Sequence, residues 1–158
     1  KYPGVECIYA DLTGGLIEEA YKYGELPLSD SSKNHIIPVK KGRGVVSLNI
    51  LNQLDIILID AMKKKRNIPD EVVIQYRKSI QDAHLKMISN SPCCMITDET
   101  ELLINSKGEE VDRRDLIFVE IPEGSNLCGW EWSFDNHFNY NKAFNTHFIV
   151  SSRFLNIQ

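Results

Sequence analysis

The 158-residue sequence contains no apolar run close to the ~20 residues that a transmembrane helix needs. Its first residues, Lys1 to Gly4, do not resemble a signal peptide. An excess of one charge is also missing, because 18 Lys and Arg residues stand against 22 Asp and Glu residues and give a net charge of −4. So mild a charge argues against a protein that coats nucleic acid or lies on a membrane surface. We therefore expect no membrane partner.

Cysteine is scarce, and none of the four residues forms a Cys-x-x-Cys pair. Cys7, Cys93, Cys94 and Cys128 have apolar neighbours, which is typical of reduced cysteines in strands or in a core. A zinc site formed by Cys93 or Cys94 with Cys128 and His137 would have only part of a tetrahedral ligand set, at irregular spacing. We therefore predict four free thiols, no cofactor or metal, and a cytoplasmic location, in the producing cell or in a host.

Repeats, low-complexity tracts and linkers are absent as well, which predicts a single domain over residues 1–158. Apolar residues make up 42% of the chain and charged residues 25%, the ordinary mixture of a globular domain that needs no metal or disulfide to fold. Neither a Gly-x-Gly-x-x-Gly pattern nor a Walker pattern is present. The sequence thus lacks two common motifs of nucleotide-binding proteins.

The first part of the chain predicts helices between short strands. A long helix is predicted from Ser47 or Asn49 to about Lys65, and another from Pro69 to about Ser89, because apolar residues recur there at helical spacing. The shorter predicted elements are a strand over Val5–Ala10, a helix over Leu16–Tyr23 that ends at Gly24, and a strand over His35–Val39.

The last third of the chain predicts strands. The first candidates are Cys93–Thr97 and Glu101–Asn105, with a turn at Ser106–Gly108. Asp115–Ile121 is the most clearly buried candidate, because both of its faces are largely apolar. The order β-α-β-α-α followed by consecutive strands predicts an α+β fold with helices packed on one face of a mainly antiparallel sheet.

From Trp130 to Val150 the sequence alternates with a period of two, which predicts a hairpin with one aromatic face and one polar face. The aromatic face is the one more typical of a core. A three-residue loop at Asn141–Ala143 would pair Tyr140 with Phe144 and would place His137 opposite His147, with Cβ atoms ~5 Å apart. The even positions hold Trp130, Trp132, Phe134, Phe138, Tyr140, Phe144, Phe148 and Val150, and the odd positions hold Glu131, Ser133, Asp135, His137, Asn139, Asn141, Asn145 and His147.

Two facing histidines would permit acid–base chemistry, because one neutral ring accepts a proton while the other, protonated, donates one. With Glu131 or Lys142 assisting, His137 and His147 would serve a metal-independent nuclease or phosphodiesterase acting on RNA. The competing interpretation is a solvated polar face rich in Asn and His, on the open side of an antiparallel sheet.

A weaker candidate site is the turn before the first helix. Asp11, Thr13, Gly14 and Gly15 lie where a strand meets a helix N-terminus, whose backbone amides can hold a phosphate. An ordinary strand-to-helix turn capped by Asp11 or Thr13 accounts for the same residues.

Charge is unevenly spread along the chain. Lys40, Lys41, Arg43 and Lys63 to Arg66 hold 7 of the 18 basic residues, whereas acidic stretches lie at 98–101 and 109–115. Such a distribution favours recognition of a charged protein surface.

The favoured hypothesis is therefore a small soluble protein-binding or regulatory module, as found among inhibitors, immunity proteins and viral antagonists. Catalytic motifs are absent, and the C-terminal hairpin is dense in aromatic and amide side chains that suit a binding surface. The predicted partner-binding residues are Lys63, Lys64, Lys65, Arg66 and Asn139.

Overall fold

The computed structural model describes residues 12–13, 15–24, 26, 43–88 and 91–156. In this part of the chain, three helices and a mostly antiparallel five-stranded sheet confirm the predicted α+β fold. The elements follow the order α1 (Leu16–Tyr23), β1 (Val45–Leu48), α2 (Ile56–Lys65), α3 (Asp70–Ile88), β2 (Cys93–Ile104), β3 (Glu110–Asp115), β4 (Ser125–Asp135) and β5 (Asn145–Leu155).

Strand β2 is the centre of the sheet, because both of its edges are paired. On one edge it pairs antiparallel with β5 from Cys93 to Ile104. On the other edge β1 pairs in parallel with residues 93–96, and β3 pairs antiparallel with residues 100–104. Strand β4 pairs antiparallel with the far edge of β5. The helices α2 and α3 form the crossover between the parallel strands β1 and β2.

Helix α3 joins two clusters of buried side chains. Around Tyr76 it packs with α1 and α2, and at its last turn Ile88 packs with Cys93, Met95 and Leu155. Cys93 pairs with Leu155, and Met95 lies two residues further along β2, so these three side chains point to the same side of the sheet. We call this side the helix face.

Two of the three predicted helices are confirmed, and the third is wrong at its start. Helix α1 has the predicted bounds and ends at Gly24, whose φ of 66° is left-handed, and α3 begins and ends within one residue of the prediction. Helix α2, however, begins only at Ile56. Ser47 lies in β1, and Asn49, with a φ of 52°, turns the chain out of that strand. Pairing of β1 with β2 thus overrides the helical spacing of residues 47–55.

The strand predictions are wrong in their bounds. Cys93–Thr97 and Glu101–Asn105 belong to one strand, β2, which ends at Ile104. The buried strand predicted over Asp115–Ile121 does not form, because the strand there is the exposed β3 and residues 116–121 have no strand partner. The predicted strands Val5–Ala10 and His35–Val39 lie outside the described residues.

Residues 116–121 pack against α3 instead of against a strand. The side chains of Ile117, Val119 and Ile121 join the cluster that α3 forms with β2. The buried Gln81 of α3 donates from Nε2 to the carbonyl oxygen of Leu116 and accepts from the backbone N–H of Phe118, both over 2.8 Å. A single helix side chain therefore supplies two of the backbone hydrogen bonds that a neighbouring strand would otherwise supply.

We expect Gln81→Ala to lower the free energy of unfolding by about 1–3 kcal/mol, because it leaves a backbone donor and a backbone acceptor without partners. The matched control is Gln75→Ala, an exposed position of the same helix, where little change is expected. Urea denaturation of the three proteins measures the effect. Equal stability of the two variants would contradict this account of the segment.

The buried His84 ties α3 to β1. Its Nε2 lies 2.8 Å from the hydroxyl oxygen of Ser47. Burial lowers the pKa of His84 from 6.5 to about 4. Unfolding exposes the ring and restores its ordinary pKa, so the unfolded chain binds a proton between pH 6.5 and 4 that the folded protein does not.

The unfolding free energy of the wild type, relative to a His84→Gln variant, should therefore fall as the pH is lowered from 6.5 to 4. The expected loss is on the order of 3 kcal/mol, since each pKa unit corresponds to about 1.4 kcal/mol. Denaturation at several pH values measures this difference, and His137→Gln, at an exposed position, is the control. A pH-independent difference between wild type and His84→Gln would contradict the prediction.

Candidate functional site

The C-terminal hairpin has the two faces that the sequence predicts. Trp132 of β4 pairs with Phe148 of β5 on one side, and Ser133 pairs with His147 on the other. Since Phe148 and Leu155 lie an odd number of residues apart in β5, the aromatic residues point away from the helix face. Glu131, Ser133 and His147 point toward the helix face, whereas Asp135 and Thr146, beyond the register shift, lie on the other side.

The predicted register and loop of this hairpin are wrong. Residues 136–144 connect the strands, a longer loop than Asn141–Ala143, and His137 lies in it, exposed. Ser133, not His137, is therefore opposite His147. The register shifts between Ser133 and Asp135, where β4 holds one residue more than β5, and strand pairing ends at Asp135.

The residues proposed for acid–base chemistry are only partly brought together. His147 Nδ1 lies 2.5 Å from Glu131 Oε1, and His147 Nε2 lies 3.1 Å from Asn136 Oδ1. Both ring nitrogens are thus engaged within the protein. Lys142 lies in the loop and donates to a loop carbonyl oxygen 3.2 Å away. The facing histidine pair on which the nuclease hypothesis depended does not form, because His137 lies in the loop.

Asp135 organises the loop, and sequence reasoning missed it. Its carboxylate accepts from the backbone N–H of His137 over 2.9 Å and from that of Tyr140 over 2.6 Å. These bonds hold the pKa of Asp135 below its usual range. An Asp followed by Asn and further polar residues is typical of such a turn, so the signal was present in the sequence.

The loop places Tyr140 on a cluster of aromatic rings centred on Phe134, the extra residue of β4. The Phe134 ring centroid lies 5.1 Å from Trp132, 5.2 Å from Phe148 and 5.3 Å from Tyr140, in edge-to-face arrangements. Such contacts stabilise an aromatic cluster beyond the burial of its area. The bulge at Phe134 and the turn at Asp135 thus build one structure.

The side of the sheet opposite the helix face exposes large apolar side chains, and we call it the aromatic face. Trp130 and Trp132 are 42% and 44% exposed. The expectation that the aromatic side of the hairpin belongs to the core is thus wrong for these residues, because α3 packs on the other side. By strand register, the exposed apolar residues of the aromatic face are Val46, Leu48, Trp130, Trp132 and Phe154.

A groove of about 330 Å³ opens beside Trp132, and we call it the acidic groove. Aromatic rings form one wall, the segment after β1 contributes three amide side chains, β2 contributes two carboxylates, and Ile56 and Leu116 complete the lining. These residues are Trp132, Phe134, Tyr140 and Phe148, then Asn49, Asn52 and Gln53, then Asp98 and Glu101.

The two carboxylates of the acidic groove are deeply buried, at 3% exposure for Asp98 and 9% for Glu101. Burial raises the pKa of both groups. Asp98 is partly compensated by Asn49, which donates from Nδ2 to its carboxylate over 2.6 Å and accepts from its backbone N–H over 3.1 Å. Among the described residues, Glu101 has one salt-bridge partner, the exposed Arg114, whose Nη1 lies 3.7 Å from its Oε2.

An extra residue in β2 places both carboxylates on the same side. Asp98 pairs with Val150 and Glu101 pairs with Phe148, two residues apart in β5, so Glu99 is one residue more than the register needs. Strict alternation along β2 would put Asp98 and Glu101 on opposite faces. Sequence reasoning therefore identified them only as part of an acidic stretch.

Glu99 is held in place from the helix face. Its Oε1 accepts from Ser151 Oγ over 2.5 Å and from Arg153 Nη2 over 2.6 Å, and its carbonyl oxygen accepts from the backbone N–H of Leu116 over 2.9 Å. These bonds join the bulge to β5 and to the segment that follows β3.

The predicted basic partner-binding residues lie elsewhere on the molecule. Lys63, Lys64, Lys65 and Arg66 are exposed at the end of α2, and they line a surface cavity of about 640 Å³ together with the start of α3. Lys63 Nζ lies 3.0 Å from Asp70 Oδ1. None of the four lines the acidic groove, and their role stays a prediction.

The remaining predicted partner-binding residue, Asn139, is exposed in the loop, next to Tyr140. It therefore lies beside the acidic groove, whose wall includes Tyr140. Its role in binding also stays a prediction.

The predicted phosphate-binding turn is only partly described. Asp11 and Gly14 lie outside the described residues. Thr13 is buried, and its hydroxyl accepts from the backbone N–H of Ile17 over 3.3 Å, as at an ordinary helix start. Gly15 precedes α1 with a left-handed φ of 93°.

Cys93, Cys94 and Cys128 are free, and no three His, Cys, Asp or Glu side chains among the described residues converge as a metal site would require. None of the helices in the described ranges is long and apolar enough to cross a membrane.

Comparison with known proteins yields no matching family model, no matching curated protein and no matching solved structure. The aromatic face and the acidic groove are therefore the evidence on which a function is proposed.

We expect Glu99→Ala to lower the free energy of unfolding by about 1–2 kcal/mol, because it removes two hydrogen bonds to a partly buried carboxylate. Exchange of the Leu116 amide proton should become faster, since this amide is bonded to the bulge. Denaturation and amide exchange measure the two effects, with Glu123→Ala at an exposed position as the control. Unchanged exchange at Leu116 would show that Glu99 does not hold the bulge.

Proposed function

We propose that this chain is a protein-binding module, of the inhibitory or regulatory kind, that recognises a charged protein partner through its aromatic face. The observation that carries the proposal is the exposure of Trp130 and Trp132 on a side of the sheet that α3 does not cover. Contiguous exposed apolar groups are uncommon on monomeric proteins and mark interaction sites. Tryptophan is also among the residues that contribute most to binding energy.

The surroundings of these rings support a protein partner over RNA. An aromatic surface would also stack nucleic-acid bases. The carboxylates of Asp98 and Glu101, however, lie on the same side of the sheet as Trp132 and repel a phosphate backbone. The nuclease alternative has no comparable support, because Ser133 and not His137 faces His147.

The proposal predicts that Trp130→Ser and Trp132→Ser each weaken partner binding by at least about 30-fold, the loss expected for a binding hot spot of ~2 kcal/mol. Ile74→Ser is the matched control, because Ile74 is exposed on α3, away from the aromatic face. A protein captured from cell extract by the wild type and the control but not by the tryptophan variants is purified, and calorimetry measures its affinity for all four proteins.

Two further measurements accompany this experiment. Sedimentation of the chain alone distinguishes a foreign partner from a second copy, and concentration-dependent dimerisation that the tryptophan variants abolish would overturn recognition of another protein. Incubation with a generic RNA tests the alternative, and cleavage that His147→Ala abolishes would also overturn the proposal. We expect a monomer and no cleavage.

A further inference from the structure

We propose that the acidic groove binds one cationic side chain, a lysine or an arginine, that the protein partner presents. This inference rests on the proposed function and specifies the chemistry of the partner. A cation is favoured by both parts of the groove, since aromatic rings attract it and carboxylates pair with it. A phosphate or carboxylate ligand would meet the charges of Asp98 and Glu101.

One indication is Glu101, whose side chain is 11% exposed and lines the groove. It accepts no hydrogen bond of standard length among the described residues, and its nearest cation, the exposed Arg114, is 3.7 Å away. A buried carboxylate ordinarily has hydrogen-bonded partners. The N–H groups of a lysine or arginine would supply them.

Asn52 gives an independent indication. The residue is 7% exposed and lines the groove, yet its Oδ1 has no hydrogen-bond partner in the described part of the chain. Its amide already contributes a hydrogen bond to Asp98. Asn52 Oδ1 is thus a hydrogen-bond acceptor that can take a further donor, as is the carboxylate of Glu101. A ligand rich in N–H donors would bond to both residues.

Size and position agree with a single side chain. A groove of about 330 Å³ is at the small end of ligand sites. Trp132 belongs to the groove and to the aromatic face, so a partner lying on that face would extend a side chain directly into the groove. The methylene groups of lysine or arginine would pack on the rings while the charged end meets the carboxylates.

Amide-resolved NMR titration tests this with four probes, the N-acetyl methylamides of lysine, arginine, norleucine and glutamate. We expect the lysine or the arginine probe to bind at least about tenfold more tightly than the norleucine probe, with saturable shifts of the Trp132 indole and the Asn49 and Asn52 amides. The glutamate probe should not bind. Equal binding of norleucine, or shifts that bypass the groove, would overturn the proposal.

A matched pair of variants tests whether the carboxylate of Glu101 binds the cationic probe. Glu101→Gln should weaken the cationic probe about tenfold, whereas Glu110→Gln, at an exposed glutamate of β3 that pairs with Arg113, should leave it unchanged. If Glu101→Gln fails to fold, the comparison of lysine with norleucine on the wild type decides alone. Unaltered affinity in a folded Glu101→Gln variant would refute the groove as the cation site.

The outcome is distinguishable from failure of the proposed function. A partner whose binding depends on Trp130 but not on Glu101 supports the aromatic face and rejects the cation site. If the cationic probes bind the groove, the cation site is supported. If the Trp130 substitution at the same time leaves partner affinity unchanged, the aromatic face is rejected as the protein interface.

Discussion

The extra residue in β2, Glu99, fixes where the acidic groove can form. Without it, Asp98 and Glu101 would point to opposite sides of the sheet, and the aromatic rings could lie beside only one of the two carboxylates. With it, both carboxylates lie on the side that carries Trp132. The bonds that hold the bulge come from Ser151 and Arg153 on the helix face, so the groove depends on contacts made on the far side of the sheet.

Burial of the two carboxylates lowers the free energy of unfolding. A carboxyl whose pKa is raised by burial binds its proton more tightly in the folded than in the unfolded state, so ionising Asp98 and Glu101 lowers the free energy of unfolding as the pH rises. Apolar side chains at these positions would avoid that cost. Buried, incompletely compensated carboxylates in a groove are more typical of binding sites than of a core.

The sequence predicts those features that depend on neighbours along the chain. The bounds of α1 and α3 and the two faces of the C-terminal hairpin follow from periods of 3.6 and 2. Prediction from sequence fails where a residue distant along the chain determines the local structure. Ser47 joins a strand because β2 is available to pair with it. In residues 116–121, Gln81 and not a strand bonds the carbonyl of Leu116 and the N–H of Phe118.

The site itself depended on departures from periodicity, which is why alternation alone did not find it. One inserted residue at Glu99 brings two carboxylates together, and another at Phe134 shifts the hairpin register so that Ser133 faces His147. Only the turn at Asp135 had a local signal, an aspartate followed by polar residues at the end of a strand.

Helix α3 and the apolar side chains of the hairpin lie on opposite sides of the sheet, and this decides where a partner would bind. Helix α3 covers the sheet at Cys93, Met95 and Leu155, but further along the same side the hairpin presents polar groups such as Glu131. The apolar side chains of the hairpin point the other way, and Trp130 is 42% exposed. Burial of that ring would then come from association, which is the physical reason for placing the proposed partner on the aromatic face.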